Sequence, residues 1–268
     1  MNRRTFVSSI AALSPALAVA DESGRSAFHA VACQGKYPKH LQGFCTNDRD
    51  AIFWCFTETL VKTDPDGRVL KQVPVATHHG DLCHKGGRVY VAVNLGKFNE
   101  PAGKEDSWVY VYDADTLAEV ARHPVPELVH GAGGMAYHDG RFIIIGGLPP
   151  GVKENYVYEY DENFRFQKRH VLASGYTLMG IQTVTHAEGA WWFGCYGRPA
   201  VLLRSDEKFQ VTGKWEFNAS VGIASLDHGR FLISQNTTLL AEDGKTKLNQ
   251  GCLVIAHAGG EGFPVIGK

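Results

Sequence analysis

The sequence predicts an all-β fold, and three observations carry that prediction. A strand–turn–strand unit recurs along the chain, the apolar runs have strand length and are rich in aromatic and β-branched residues, and 30 glycines with 11 prolines provide the turns between them. At 268 residues and 44% hydrophobic content the chain can bury a full core as one domain, expected over 21–268. Its 27 Lys and Arg against 28 Asp and Glu give a formal net charge of −1, so no global field favours nucleic acid or an acidic membrane. No apolar run approaches the ~20 residues of a membrane span.

Residues 1–20 read as an export signal. Arg3 and Arg4 are followed by an uncharged stretch from Thr5, and the small-x-small triplet Ala18-Val19-Ala20 precedes Asp21 and Glu22. The paired arginines before Thr5-Phe6-Val7 resemble a twin-arginine signal, with an ordinary secretory signal as the alternative. The mature protein is expected outside the cytoplasm, in the periplasm or beyond.

The repeat then accounts for the elements in order. A turn and the strand after it occupy 47–54 (NDRDAIFW), 85–91 (KGGRVYV), 138–144 (HDGRFII), 187–193 (AEGAWWF) and 227–233 (DHGRFLI). A third strand ending near Asp occupies 107–113 (SWVYVYD), 155–161 (NYVYEYD) and 200–206 (AVLLRSD), with the alternation of strands. Aligned on the turn, Gly43, Gly80, Gly133, Gln182 and Gly222 are equivalent. A four-stranded meander cannot bury both faces alone, whereas a radial array can. The expected fold is a five-bladed β-propeller of four-stranded antiparallel blades, its ring closed by residues 25–34 as the outer strand of the last blade (220–258). Six blades, or a β-sandwich, are the alternatives, and no helix longer than a turn or two is expected.

The units VYVYD and YVYEYD and the turns DGRF and GGRVYV resemble the secreted propellers of the NHL, glutaminyl-cyclase and YWTD-like class over nearly all of 25–260. That resemblance implies a fold and leaves the function open, because propellers host lyases, hydrolases, lactonases and binding domains.

In such propellers the connection entering each inner strand and the loop between second and third strands share one face. Three of the five entering connections carry histidine: His40, the pair His78 and His79, and His130. Gln182 stands where its equivalents have glycine. Imidazoles with an amide oxygen suit a divalent metal such as Mn or Zn, with Ca as a further option, and imidazole is the usual base near pH 7. The expected metal set is His40, His79, His130 and Gln182, with His79 and His130 catalytic. Asp81, Lys97, Tyr196, Arg198 and Gln235 are candidate substrate contacts, the cations for an acidic group, Tyr196 with Phe98 or Trp54 for stacking on a sugar ring. His84, His138, His186 and His228 fall at the opposite, turn end and are expected as turn or surface residues.

Of the six cysteines, Cys33 and Cys252 lie near the two termini and are a candidate disulfide, while Cys45, Cys55, Cys83 and Cys195 have buried-strand contexts. There is no Gly-x-Ser-x-Gly, P-loop, strand-linked Gly-x-Gly-x-x-Gly or His-Glu-x-x-His, so no nucleotide cofactor is expected. The functional expectation is a monomeric, exported, metal-assisted lyase or hydrolase acting on a small polar ligand such as a carbohydrate or uronate. The alternative is a non-catalytic glycan- or protein-binding propeller with a structural ion.

Overall fold

In the computed structural model, residues 27–259 and 262–266 are described, and every helix or strand among them is a β-strand. The export signal expected over 1–20 lies outside the described residues. The strand β1 (Val31–Ala32) precedes β2 (Gly43–Thr46), β3 (Ile52–Cys55), β4 (Thr57–Thr63), β5 (Val69–Lys85), β6 (Arg88–Asn94), β7 (Ser107–Asp113) and β8 (Glu119–Pro124). From β2 to β8 these strands pair antiparallel in chain order as one seven-stranded sheet. The 17-residue β5 serves two meanders: Val69–Pro74 pairs with β4, and His79–Lys85 pairs with β6. Its burial changes accordingly, from an exposed first half to a buried second half.

Two four-stranded antiparallel sheets follow. One contains β9 (Ala132–His138), β10 (Arg141–Gly146), β11 (Asn155–Asp161) and β12 (Phe166–Leu172), and the other β13 (Leu178–Ala187), β14 (Ala190–Tyr196), β15 (Val201–Ser205) and β16 (Val211–Glu216). The last sheet joins β17 (Ile223–Ser225), β18 (Arg230–Leu240) and β19 (Lys247–His257). β1 and β20 (Val265–Ile266) both pair with β19, with Val31 opposite Leu253 and Ala32 opposite Cys252. The leading strands are neighbours in sequence, β2 beside β5, β5 beside β9, β9 beside β13 and β13 beside β17, and β17 lies beside β2.

Inner strands such as β10 and β14 are buried on both faces, which explains their unbroken apolar runs. In β10, Phe142 and Ile144 face a cluster shared with Ala92 and Val109, while Ile143 and Ile145 face one shared with Trp191 and Phe193. Each run thus feeds two cores through the two-residue period of a strand. The Asp that closes each third strand organises the turn after it, because the Oδ1 atoms of Asp113, Asp161 and Asp206 accept backbone N–H groups of that turn. Glycine on the leading strands permits close approach, since a Cβ on Gly80 would stand 2.2 Å from the Gly133 carbonyl oxygen.

The expected Cys33–Cys252 disulfide is corrected by the register. Cys252 lies opposite Ala32, and the Cys33 N–H donates to the Gly251 carbonyl, so the two cysteines are one step apart and alternate to opposite faces. Both are free thiols, and the buried Cys33 Sγ lies 3.7 Å from the Tyr37 hydroxyl.

Candidate functional site

A cavity of about 430 Å3 opens where the leading strands begin. Its lining comes from the strand entries, from the β3–β4 turn, and from the segments after β6 and at the end of β14. At one wall the Gln42 Nε2 donates to Thr57 Oγ1 (3.3 Å), and that hydroxyl donates to the His40 carbonyl (3.0 Å). Lys39 and Glu58 form a partly exposed ion pair at 3.9 Å, and Glu58 is the only carboxylate among the described lining residues.

The second wall is made by an irregularity in β5. Between Pro74, which pairs with Thr59, and His79, which pairs with Thr57 and Val93, the register shifts, and His78 takes φ +59°. Its Nδ1 lies 3.0 Å from the Asn94 carbonyl oxygen. A carbonyl only accepts, so Nδ1 carries the proton and Nε2 of the neutral ring holds a lone pair. Phe98, Met179, Gln182 and Tyr196 complete the lining, and Gln182 Nε2 donates to the Met179 carbonyl at 2.6 Å. Burial raises the Tyr196 hydroxyl pKa, while burial and then Lys39 lower that of His40, keeping both neutral near pH 7.

The expected site residues divide. His40, Gln182 and Tyr196 line the cavity with side chains at or near its surface. His79 borders it, but its imidazole is fully buried, with Nε2 bonded to the Tyr112 hydroxyl (2.7 Å), the ring edge-on to Tyr110, and Nδ1 without a partner. Burial pushes its pKa down to about 4. His130 is not in the lining: its Nδ1 donates to the Glu100 carbonyl (3.0 Å) and its ring stacks on Tyr156. Through those bonds it braces the segment that carries Phe98. Lys97, Arg198 and Gln235 are exposed outside the lining, and Trp54 is fully buried, donating to Thr63.

Asp81 lies buried between the leading strands, with Oδ2 accepting the Val184 N–H (3.3 Å) and Oδ1 unpartnered. A Cβ on Gly43 would come within 2.2 Å of Oδ1, and burial pushes this carboxyl well above its ordinary pKa.

The metal set expected from the sequence does not fit these positions. His130 lies outside the cavity lining, and His40, His79 and His130 do not form a group with ligand atoms within 4.8 Å of one another, so the expected set does not gather at one point. Among the described residues, the one cluster of three His or carboxylate ligands close enough to share an ion lies at the other end of the strands.

Lys39, Gln42, Thr57, Glu58, Asn94 and Met179 also line the cavity, and sequence reasoning gave none of them a role. The signal for Thr57 and Glu58 was present, because they form in the first unit the same second-to-third-strand loop that carries Lys97 and Arg198 in later units.

No protein-family model matches the chain, and no curated protein matches it. By structure it is similar to the GH43 BlXynB protein from Bacillus licheniformis, with TM-score 0.58 and 10% identity over 88% of this chain and 56% of that one. It is also similar to a bifunctional GH43-CE protein of Bacteroides eggerthii (TM-score 0.56, 10% identity, 89% of this chain and 34% of that one) and to the WD40 repeats of RRP9 (TM-score 0.52, 8% identity, 91% and 84%). At these identities the likeness is one of fold, the β-propeller class, and singles out no family.

Proposed function

We propose that this chain is an exported five-bladed β-propeller, one domain over 21–268, whose cavity takes a small carbohydrate-class ligand and in which His78 serves as the base acting on it. The cycle of neighbouring leading strands, with β1 on the edge of β19, supports the blade count and closure. Arg3-Arg4 and Ala18-Val19-Ala20 support export. One observation carries the functional reading: Thr57 (φ +58°), His78 (φ +59°) and Met179 (φ +60°) all line the same cavity. Left-handed backbone at a β-branched Thr, a His and a Met costs about 1–3 kcal/mol each, and such strain gathers at sites that hold groups in place for a ligand.

Amide, hydroxyl and imidazole groups beside Phe98 and Tyr196 match the hydroxyls and apolar faces of a sugar ring. Lys39 offers charge to a carboxylate, which favours a uronate. Hydrolysis by two carboxylates needs a second acid that the described lining does not supply. Elimination suits the set better. His78 Nε2 takes the proton beside the uronate carboxylate, that C–H pair becomes a C=C bond, and the C–O bond on the next carbon breaks, its oxygen leaving with a proton from water.

Uronate oligosaccharides incubated with the protein test this, read as absorbance of the unsaturated product alongside calorimetric binding. Turnover by the native chain and none by a folded His78→Ala variant is expected. Binding with no product identifies a glycan-binding propeller instead, and neither binding nor product overturns the carbohydrate reading.

A further inference from the structure

At the end of β9 and β13 remote from the cavity, three side chains from two sheets meet. His138 closes β9, His186 precedes the last residue of β13, and Glu207 stands in the turn between β15 and β16. One ligand atom from each lies within 4.8 Å of the other two. The imidazoles stack with centroids 3.5 Å apart and planes 18° from parallel, and His186 Nε2 donates to Glu207 Oε1. Trp191 stands edge-on to both rings, 5.7 Å from His138 and 4.9 Å from His186, and walls the site on the core side. Glu207 is about half exposed and leaves a path from solvent.

We propose that His138, His186 and Glu207 form a binding site for a divalent transition-metal ion of the zinc type, bridging the β9 and β13 sheets. Two imidazole nitrogens and one carboxylate oxygen suit zinc, nickel or copper, whereas calcium and magnesium call for all-oxygen shells. Three protein ligands leave a fourth position for water. Arg141 reaches both Glu207 (3.4 Å) and Glu159 (3.6 Å), and Glu159, which also meets His170 Nε2 at 3.0 Å, can hold the guanidinium when Glu207 turns to the ion. Ligand atoms around a tetrahedral zinc ion stand about 3.4 Å apart, so the site closes by side-chain rotation that opens one edge of the stacked rings. The inference is independent of the carbohydrate reading.

Zinc chloride titrated into untagged full-length protein by calorimetry, with thermal melts at matched zinc, tests the site. One ion per chain is expected, with an affinity falling about tenfold or more in His138→Ala and in Glu207→Gln. The zinc-dependent rise in melting temperature should vanish in both. Glu207→Gln preserves size on an exposed turn, so it separates ligand loss from misfolding. Zinc binding unchanged in both variants, binding lost instead in His40→Ala, or no binding at all would overturn the proposal.

Discussion

Gly80→Ala is the sharpest test of how the leading strands pack. Gly80 has no left-handed φ, so alanine meets no dihedral penalty, and any loss of stability is steric. Its new Cβ would stand 2.2 Å from the Gly133 carbonyl oxygen and 3.1 Å from that of Ala92, both backbone atoms of neighbouring strands. Ordinary contact begins near 3.4 Å, so β5 and β9 would have to separate by about 1 Å. Overpacking of this kind costs about 3 kcal/mol, the upper end for a core insertion. At about 2–4 °C per kcal/mol for a chain near this length, the melting temperature should fall by about 6–12 °C. Gly86→Ala is the control: its φ is +56° with open space around it, so it bears only the left-handed penalty of about 1 kcal/mol. Reversible thermal or urea denaturation measures both. If Gly80→Ala were no more destabilising than Gly86→Ala, the close approach of β5 and β9 would be refuted.

Two further outcomes follow from buried groups. The unfolded chain protonates His79 near pH 6.5, while the folded chain refuses that proton until about pH 4, so this residue's contribution is complete above pH 6.5 and declines as pH falls towards 4. The loss reaches about 3 kcal/mol, and stability measured against pH should flatten over that window in His79→Gln; an unchanged slope would contradict the buried, neutral ring. Because Cys33 and Cys252 face opposite ways, all six cysteines should titrate as thiols after unfolding without reductant, and dithiothreitol should leave the melting temperature unchanged.

What could be read from the sequence was position along the strand, and what could not was the direction of the side chain. The turns and the runs at 142–145 and 190–195 mark strands buried on both faces, because each face meets a different neighbouring sheet. Repeat alignment likewise puts His40, Gln182 and Tyr196 at one end of those strands, where the cavity lies. It does not register the irregularity at 75–78, which presents His78 to the cavity while the His79 ring turns to Tyr112. Nor does it foresee that the His130 ring is occupied by the Glu100 carbonyl, a contact made by the long loop between β6 and β7. Asp81 follows Gly80, and strand alternation sends it into the packed interior between the leading strands.

The shared strand β5 sets the mechanical character of the site. Elsewhere a connection separates one meander from the next, and such connections can yield without breaking a ladder. Between the first two meanders the joint is the irregular stretch 75–78 within β5, with the β4 ladder over Val69–Pro74 before it and the β6 ladder from His79 after it. Those meanders are therefore tied by a short joint, and an insertion there would shift one ladder relative to the other. His78 sits in that joint, so the group proposed for proton transfer is held directly between two ladders, one of which begins at the next residue.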